Sequence, residues 1–428
     1  MFPTQTRRRF LTTTAAGAFL APTIITSAVR GDDAPSAKLT VGFIGVGKMG
    51  RGHLTRFVGY DDIEVVAVCD VVQERLDDAQ RIVNERYANR NKGGDRKQCA
   101  AYKDFRELLA RDDIDAVLIA TPDHWHAIPC ILAAKAGKDV YCEKPLTHNI
   151  VEGRKLVEAV AEHGIIFQTG SQQRSEFGGK FRVAADLIRN GRIGQVLSVN
   201  IGVGAPAVEC DLAAQETPSG TDWNMWLGPA PERPYNEILC PKGIHNHFPA
   251  WRNYQEYAGG GLADMGAHHF DIAQWALGMD DSGPVCIEAP AEGQTTGARF
   301  TYANGMTMIH GGPGGCTFVG TKGILYVDRG RIMSEPGSIL DEPLPEDAPR
   351  VYFSENHHRN WLDCIRSREQ PICTAEIGHR SASVCHLGNL AYRLQRTLHW
   401  DPAREEFAND DEANALRWRE PRGEWNVI

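Results

Sequence analysis

Short apolar runs alternate with helix-like segments along the first part of the chain. The run Leu39–Ile44 leads into a predicted helix that reaches Phe57, and a second apolar run covers Ile63–Cys69. Continuous apolar runs of this length are typical of parallel strands that are buried on both faces. Further predicted helices and strands follow at 104–110, 116–120, 126–136, 139–142 and 151–163. We therefore expect a parallel sheet with helices on both faces, which binds ligands at the carboxyl ends of its strands.

The second part of the chain shows strand-like runs between Gly and Pro clusters. After a predicted strand at 165–169 and a predicted helix near 177–190, such runs occur at 196–203, 299–302, 306–310 and 323–328. Two helical patterns and a polar tail follow, at 360–365, 377–396 and 401–428. A chain of 428 residues is expected to form two domains. We place them at 38–165 and 166–400, and we expect the C-terminal helices and the tail to pack on the second.

A glycine-rich turn directly follows the first strand. Gly45, Gly47 and Gly50 flank Lys48 and Met49 in a G-x-G-x-x-G pattern that opens the next helix. The first glycine permits a tight turn, the second lets the backbone approach a pyrophosphate, and the third lets helix and strand pack closely. The helix N-terminus then presents free N–H groups to the phosphates.

Asp70 indicates which dinucleotide this turn binds. It ends the second apolar run, where its carboxylate can accept hydrogen bonds from both ribose hydroxyls of NAD. The same carboxylate repels the 2′-phosphate of NADP, and Val71 and Val72 offer that phosphate no positive charge. We therefore expect NAD rather than NADP. Arg75 is the nearby residue that could favour NADP instead.

Polar side chains follow two further strands of this predicted sheet. The segment 121–126 reads Thr-Pro-Asp-His-Trp-His, and Glu143-Lys144-Pro145 follows the next strand. Both segments fall at the ligand-binding edge of the sheet. A strand-end lysine can hydrogen-bond a substrate hydroxyl and favour its ionised form. The alternatives are a helix cap formed by Asp123 beside exposed histidines, and a surface ion pair of Lys144.

Asp264 and His268 form a third candidate cluster. They follow three glycines at 259–261 and stand four residues apart in a segment with helical apolar spacing. On one helix they would share a face, so that the carboxylate could orient the imidazole and stabilise its protonated form. Taken alone, the pattern is also compatible with an ordinary Asp–His pair on a helix.

Together these motifs resemble the Gfo/Idh/MocA family of oxidoreductases. The resemblance rests on the glycine turn, on the Thr-Pro-x-x-x-His run that ends at His126, on Glu143-Lys144-Pro145 and on the Asp-x-x-x-His of Asp264 and His268. It implies an N-terminal Rossmann domain, whose parallel sheet is doubly wound, and a C-terminal α/β domain with an open, mainly antiparallel sheet. It further implies that His268 is the general base, that Lys144 polarises the hydroxyl, and that Asp264 orients the base or relays its proton.

The resemblance also suggests which residues surround cofactor and substrate. We expect the cofactor to contact Gly45, Gly47, Lys48, Met49, Gly50, Asp70, Thr121, Pro122, His126, Glu143 and Lys144. The candidate substrate residues are Arg174, Trp251, Arg252 and His269. Aromatic faces beside an arginine suit a sugar, although core packing at a domain junction uses the same side chains.

Composition and charge exclude several other classes of protein. The chain is 42% hydrophobic and 24% charged, which is typical of a globular protein. A formal charge of −9 repels phosphate backbones, so we do not expect a nucleic-acid partner. The cysteines contain no C-x-x-C pair, and the His pairs at 245/247, 268/269 and 357/358 lack H-E-x-x-H spacing. We therefore expect neither a disulfide framework nor a metal site.

The N-terminus resembles a twin-arginine export signal. Residues 6–11 read Thr-Arg-Arg-Arg-Phe-Leu and precede an apolar stretch at 15–25 and a small-residue cleavage site at 26–28. The apolar stretch is shorter than the roughly 20 residues that span a bilayer. We expect a signal peptide over 1–28, no stable membrane anchor, and a periplasmic or otherwise exported protein.

The sequence therefore predicts an NAD-dependent oxidoreductase that acts on a secondary hydroxyl of a sugar, a cyclitol or a sugar derivative. Because free NAD is scarce outside the cytoplasm, we expect the cofactor to be tightly bound. One alternative is a redox-neutral glycoside hydrolase or lyase that works through a transient keto sugar. Another is a non-catalytic sugar-binding protein with the same fold. The resemblance also implies a homo-oligomer.

Overall fold

The structure, a computed structural model, describes residues 38–90 and 98–427. The predicted signal peptide at 1–28 lies outside the described residues. Within these residues, no helix combines the length and the apolar character needed to cross a bilayer.

Six parallel strands form the first sheet. In chain order they are β1 (Leu39–Ile44), β2 (Ile63–Cys69), β3 (Ala100–Tyr102), β4 (Ala116–Ile119), β5 (Asp139–Cys142) and β6 (Phe167–Thr169). Their order across the sheet is β3-β2-β1-β4-β5-β6, so the chain winds outwards in both directions from the β1–β4 pair. This confirms the predicted doubly wound sheet, whose ligand crevice lies at the carboxyl ends of these two central strands.

Five helices connect and cover these strands. They are α1 (Lys48–Phe57), α2 (Gln73–Arg90), α3 (Phe105–Leu109), α4 (Ala127–Lys135) and α5 (Ile150–His163). Asp104 and Asn149 cap α3 and α5 by accepting hydrogen bonds from backbone N–H groups of the first turn. The predicted helices are confirmed to within one or two residues. Helix α2 was not predicted, because it is largely polar and presents only a narrow apolar stripe to the core.

Nine strands form the second sheet. They are β7 (Val196–Gly202), β8 (Cys286–Glu288), β9 (Arg299–Thr301), β10 (Thr307–His310), β11 (Gly315–Gly320), β12 (Ile324–Val327), β13 (Ile332–Glu335), β14 (Leu398–Asp401) and β15 (Glu406–Phe407). The order is β13-β12-β11-β7-β10-β9-β8-β14-β15, and only β7 and β10 pair in parallel. The mainly antiparallel sheet is therefore confirmed. Strand β11 was not predicted, because the glycines that flank it are typical of a loop.

Eight helices accompany the second sheet. They are α6 (Lys180–Arg189), α7 (Trp223–Leu227), α8 (Gly260–Asp264), α9 (Gly266–Leu277), α10 (Ser338–Asp341), α11 (His357–Ser367), α12 (Ala375–Leu394) and α13 (Asp411–Ala415). Residues of α6, α9 and α12 share one buried core with the sheet, which includes Phe270 and Phe300 with their rings 5.2 Å apart. This core anchors α9, which carries His268.

The C-terminal segment crosses back to the first sheet. Trp361 of α11 packs edge-on against Tyr141 of β5, with 5.6 Å between ring centroids. Near the C-terminus, Trp425 packs against Trp125 at 4.7 Å and lies under the Arg106 guanidinium. The C-terminal helices and the tail therefore contact the first domain as well as packing on the second, where Trp400 and Phe407 join its core. Sequence periodicity identifies an apolar face but not the sheet that it covers.

Candidate active site

One cavity of about 570 Å³ lies at the carboxyl ends of β1, β2, β4 and β5. Its wall is completed by the start of α9, by residues 239–252 and by the turn after β12. The cavity joins the glycine turn and Asp70 at one end to Lys144, Asp264 and His268 at the other. The nucleotide motif and the candidate catalytic residues therefore line the same cavity.

The three motif glycines have different surroundings. Gly45 has a φ of +82°, and a Cβ there would lie 2.8 Å from the backbone of Ala120 and Thr121. A Cβ at Gly50 would lie 1.9 Å from the Gly45 carbonyl oxygen, so Gly50 permits close packing and does not line the cavity. A Cβ at Gly47, in contrast, would meet open space. No side chain caps α1 there, so its first N–H groups are available to a pyrophosphate.

Asp70 is positioned by backbone groups on both sides. Its two carboxylate oxygens accept hydrogen bonds from the Val46 and Val72 N–H groups, both at 2.9 Å. Each oxygen keeps a lone pair for a ribose hydroxyl. Arg75 donates instead to the backbone carbonyls of Pro241 and Gly243. The residue that could have favoured NADP is therefore engaged by the protein itself, and the site fits NAD.

His126 joins two strand-end segments. Its ring nitrogens lie 2.7 Å from the Pro145 carbonyl oxygen and 3.0 Å from that of Thr121. Two carbonyl acceptors require an N–H on both nitrogens. Burial favours the neutral ring, but the neighbouring Cys142 and Asp123 and the Pro145 carbonyl together raise the pKa of His126 to about 10. The alternative interpretation, with exposed histidines behind an Asp123 cap, is wrong because His124, His126 and Asp123 are all buried.

Lys144 and Asp264 form a direct ion pair. The Lys144 Nζ donates to Asp264 Oδ1 and to its backbone carbonyl oxygen, both at 2.7 Å. Arg252 Nε lies 3.6 Å from the same Oδ1. Burial would raise the pKa of Asp264, but the charges of Lys144 and Arg252 lower it below its usual value. Asp264 is therefore an anion that holds the lysine ammonium in place.

His268 is not oriented by Asp264 in the way the sequence predicts. Helix α8 ends at Asp264 and α9 begins at Gly266, so the two residues do not share one regular helix. Within the described chain, the His268 Nδ1 has no hydrogen-bond partner. Burial, reinforced by the positive charges of Lys144 and Arg329, lowers the pKa of His268 well below its usual value. The lowered pKa favours the neutral imidazole, which can accept a proton.

Two of the four predicted substrate residues line the cavity and two do not. Trp251 and Arg252 line it, with the guanidinium 4.1 Å from the indole centroid. Arg174 is 1% exposed and is held by Asp271 at 2.8 Å and by Asp280. His269 is buried against Cys316. The placement of Arg174 and His269 in the pocket is therefore wrong, because both point into the core of the second domain.

Of the predicted cofactor residues, all except Gly50 line the cavity. Glu143 lies at its floor, where it accepts hydrogen bonds from His53 at 2.8 Å and from Gln172 at 2.7 Å. Burial opposes ionisation of Glu143, but these contacts and Lys144 lower its pKa. The carboxylate is therefore charged next to Lys144.

Asp123 and Arg329 also line the cavity, although the sequence analysis gave neither a role in a site. Burial raises the pKa of Asp123 to about 7, against the opposing charges of His126 and Arg252. Arg329 follows β12 in a short turn, a setting without any recognisable motif. In the part of the chain that the structure describes, no group of three or more His, Cys, Asp or Glu residues is arranged to hold a metal ion.

The fold and the site define a nucleotide-dependent oxidoreductase, and family models give the family. The model described as "Oxidoreductase family, NAD-binding Rossmann fold" matches residues 39–171. The model described as "Oxidoreductase family, C-terminal alpha/beta domain" matches residues 207–427, more than half of the chain. The chain therefore belongs to the Gfo/Idh/MocA oxidoreductase family, and its first domain is an NAD-binding Rossmann domain.

Individual relatives agree with this assignment. A myo-inositol 2-dehydrogenase from Thermotoga maritima is 25% identical over 385 residues, which cover 84% of this chain and 98% of that protein. A glycosyl hydrolase family 109 protein 1 from Shewanella sp. (strain MR-4) is 34% identical over 173 residues, 38% of this chain and 35% of that protein. The WlbA dehydrogenase from Bordetella pertussis, solved with NADH and UDP-GlcNAcA, shares the fold at a TM-score of 0.60 and 19% identity, over 85% of this chain and 99% of that one.

Proposed function

We propose that this protein oxidises a secondary hydroxyl of a sugar, a cyclitol or a sugar derivative. The observation that carries the proposal is the single cavity that joins the nucleotide motif to Lys144, Asp264 and His268. The similarity to a myo-inositol 2-dehydrogenase supports the same substrate class.

In this proposal, one group of residues holds the cofactor and another group moves a proton. The backbone at Gly47, the carboxylate of Asp70 and the strand-end segment at Thr121 and Pro122 would hold NAD, which supplies the hydride acceptor. Two of the three N–H groups of Lys144 are used by Asp264, which leaves one for a substrate hydroxyl.

His268 takes the hydroxyl proton in this proposal. Its neutral ring can act as a general base, and the positive charge of Lys144 stabilises the oxygen anion that develops as the proton leaves. Asp264 holds Lys144 at the reacting oxygen, so it is a positioning residue for the lysine.

A segment of the second domain supports the proposal that NAD is held tightly. Val72 forms a β-bridge with Thr221. Arg75 donates hydrogen bonds to the backbone carbonyls of Pro241 and Gly243, beside the Asp70 end of the cavity. Leu239, His245 and Phe248 complete the wall there. A cofactor that enters this end is enclosed by chain from both domains, which slows its release.

Nucleotide content tests the tight binding directly. The protein is purified and dialysed without added nucleotide, then denatured, and NAD(H) and NADP(H) are measured per chain. We expect close to one equivalent of NAD(H). Release of no nucleotide followed by reversible NAD binding on titration would contradict tight retention, and the absence of any binding would contradict the oxidoreductase assignment itself.

A redox-neutral glycosidase or lyase is the second candidate, because a glycosyl hydrolase family 109 protein is among the relatives. In that reaction, a ring hydroxyl is oxidised to a ketone, the acidified neighbouring C–H loses its proton as the aglycone leaves, water adds to the enone that results, and the hydride returns to the ketone. Incubation with aryl and alkyl glycosides distinguishes the two. A deglycosylated product without net NADH supports the glycosidase, whereas a stoichiometric keto product supports the dehydrogenase.

Export through the twin-arginine route and assembly as a homo-oligomer complete the proposal. The motif at 6–11 supports the first, and the resemblance to the family supports the second. Replacement of Arg7, Arg8 and Arg9 by lysine is expected to retain the protein in the cytoplasm. Light scattering of the purified protein gives the number of chains in the assembly.

A further inference from the structure

Arg329 reaches the substrate end of the cavity from a hairpin of the second sheet. The turn that carries it joins β12 to β13. Asp328 braces this turn, because its Oδ1 accepts hydrogen bonds from the N–H groups of Gly330 at 2.7 Å and Arg331 at 2.8 Å. Tyr326 donates to the other carboxylate oxygen at 2.6 Å. The arginine is therefore presented by a well-braced hairpin.

Two side chains hold the guanidinium next to His268. The Arg329 Nε–H donates to Gln173 Oε1 at 2.9 Å, and Gln173 Nε2 donates to the His268 carbonyl oxygen at 3.3 Å. The Phe177 ring lies 4.8 Å from the guanidinium carbon. Only the inner nitrogen is used by these contacts. The two terminal nitrogens, which form the fork of the guanidinium, have no protein partner within the described residues.

The other arginines that line the cavity are engaged. Arg56 pairs with Glu176 at 3.4 Å, and Arg252 pairs with Asp264 at 3.6 Å. Arg75 donates to two backbone carbonyls. Arg329, in contrast, has no carboxylate within 4 Å in the part of the chain that is described. A positive charge without a direct ion-pair partner, on a solvent-exposed side chain with a free hydrogen-bonding fork, therefore lines the cavity that contains Lys144 and His268.

We propose that Arg329 binds the carboxylate of an acidic sugar, such as a uronate or an aldonate. This inference rests on the proposed function and narrows its substrate class. A guanidinium fork matches a carboxylate with two parallel hydrogen bonds. Asp264, Glu143 and Glu176 lie close enough for their charges to act on Arg329, and they repel a doubly charged phosphate ester more strongly than a singly charged anion. A singly charged carboxylate pairs with the guanidinium at a smaller cost in repulsion from these carboxylates than a dianion.

Calorimetric titration of the NAD-containing full chain tests the proposal. The probes are D-glucuronate and D-galacturonate, their neutral counterparts D-glucose and D-galactose, methyl D-glucuronate, which keeps the shape but loses the charge, and D-glucose 6-phosphate. We expect the uronates to bind about 10–100-fold more tightly than the neutral sugars and the methyl ester, because a hydrogen-bonded charge pair is formed. The change in absorbance of bound NADH reports oxidation in the same samples.

Three variants locate the effect. Arg329→Gln is expected to remove the preference for uronates while the affinity for D-glucose changes less than threefold. Arg329→Lys restores part of the preference, since it keeps the charge without the fork. Arg331→Gln, two residues along the same turn and facing Asp328, is the matched control and leaves the preference unchanged.

Each outcome separates this inference from the proposed function. Equal binding of uronates and neutral sugars, or equal weakening of both in Arg329→Gln, overturns the carboxylate site but leaves the oxidoreductase intact. Tighter binding of D-glucose 6-phosphate than of D-glucuronate also overturns it. Failure of every sugar to bind a chain that holds NAD overturns the proposed function itself.

Discussion

The two ends of the cavity are built in different ways. The nucleotide end is lined by residues of the glycine turn and by side chains that follow β2 and β4, such as Asp70 and Thr121. At the substrate end, Lys144, His268 and Arg329 come from three elements that are far apart in the chain.

This difference affects how well each end can be predicted from the sequence and which function is lost when its residues are substituted. A backbone cradle needs glycines at fixed spacing, so it leaves a local motif in the sequence. A cluster of charged side chains needs tertiary structure to bring it together, and each member depends on its partners for charge and orientation. Substitutions at the substrate end should therefore stop chemistry without releasing the cofactor, and substitutions at the nucleotide end should do the reverse.

The largest effect is expected for Lys144→Ala. The variant loses the ammonium that polarises the hydroxyl, so kcat should fall by about 10³-fold, within the range of lost acid–base groups. NAD content per chain should stay unchanged, because the nucleotide end is intact. Steady-state kinetics and nucleotide analysis of the same preparation provide the measurement. Lys135→Ala, at an exposed position on α4, is the control. Normal turnover in Lys144→Ala would refute the catalytic assignment.

Arg174→Met should reduce stability rather than substrate binding. It leaves Asp271 buried without its cation, which is expected to cost about 3–5 kcal/mol in the free energy of unfolding. Urea denaturation measures this loss, and KM is compared under conditions where the variant is folded. Arg182→Met, which loses a weaker pair with Asp186 at 3.5 Å, serves as the control. A raised KM at unchanged stability would instead indicate that Arg174 contacts the substrate.

Asp70→Asn should weaken NAD binding by about 10–100-fold, since it replaces charge-assisted hydrogen bonds to the ribose by neutral ones. Binding of NADP should weaken less, because the charge that repels its 2′-phosphate is also removed. Fluorescence titration of cofactor-free protein gives both dissociation constants. Asp112→Asn, at an exposed position, should change neither. An unaltered ratio of the two constants would contradict Asp70 as the selector.

The smallest effect is expected for Asp123→Asn and depends on pH. Burial raises the pKa of Asp123 from 3.8 to about 7, so the folded state binds more protons than the unfolded state between these values. This group therefore makes the wild type less stable as pH rises from about 4 to about 7, and the variant lacks that loss. We expect the variant to gain about 1–2 kcal/mol relative to wild type between pH 6 and pH 8.

Thermal unfolding across this pH range measures the gain. Glu152, whose pKa burial also raises to about 7, is present in both proteins, so its contribution cancels in the difference. A difference in stability that does not vary with pH would show that Asp123 is ionised in the folded protein.

Prediction from the sequence succeeds where local rules apply. The glycine turn, Asp70 and the strand-end segments all lie where the alternating pattern places them, and the first sheet has the predicted topology. The substrate end is predicted less well. Lys144 and His268 reach the cavity, but the partner of Asp264 is Lys144 and not His268. Arg174 looks like a pocket residue because it follows a strand, yet a short helical turn directs it towards Asp271.

The sequence by itself determines the alternation of strands and helices over most of the first domain, the nucleotide turn and the preference for NAD. These features depend on side-chain periodicity, on glycine geometry and on a single carboxylate at a strand end. The tertiary structure alone decides the charge of His268, the pairing of Lys144 with Asp264 and the arrival of Arg329 at the same cavity. Burial and the charges of residues distant in the sequence set these properties, and neither can be predicted from a local sequence pattern.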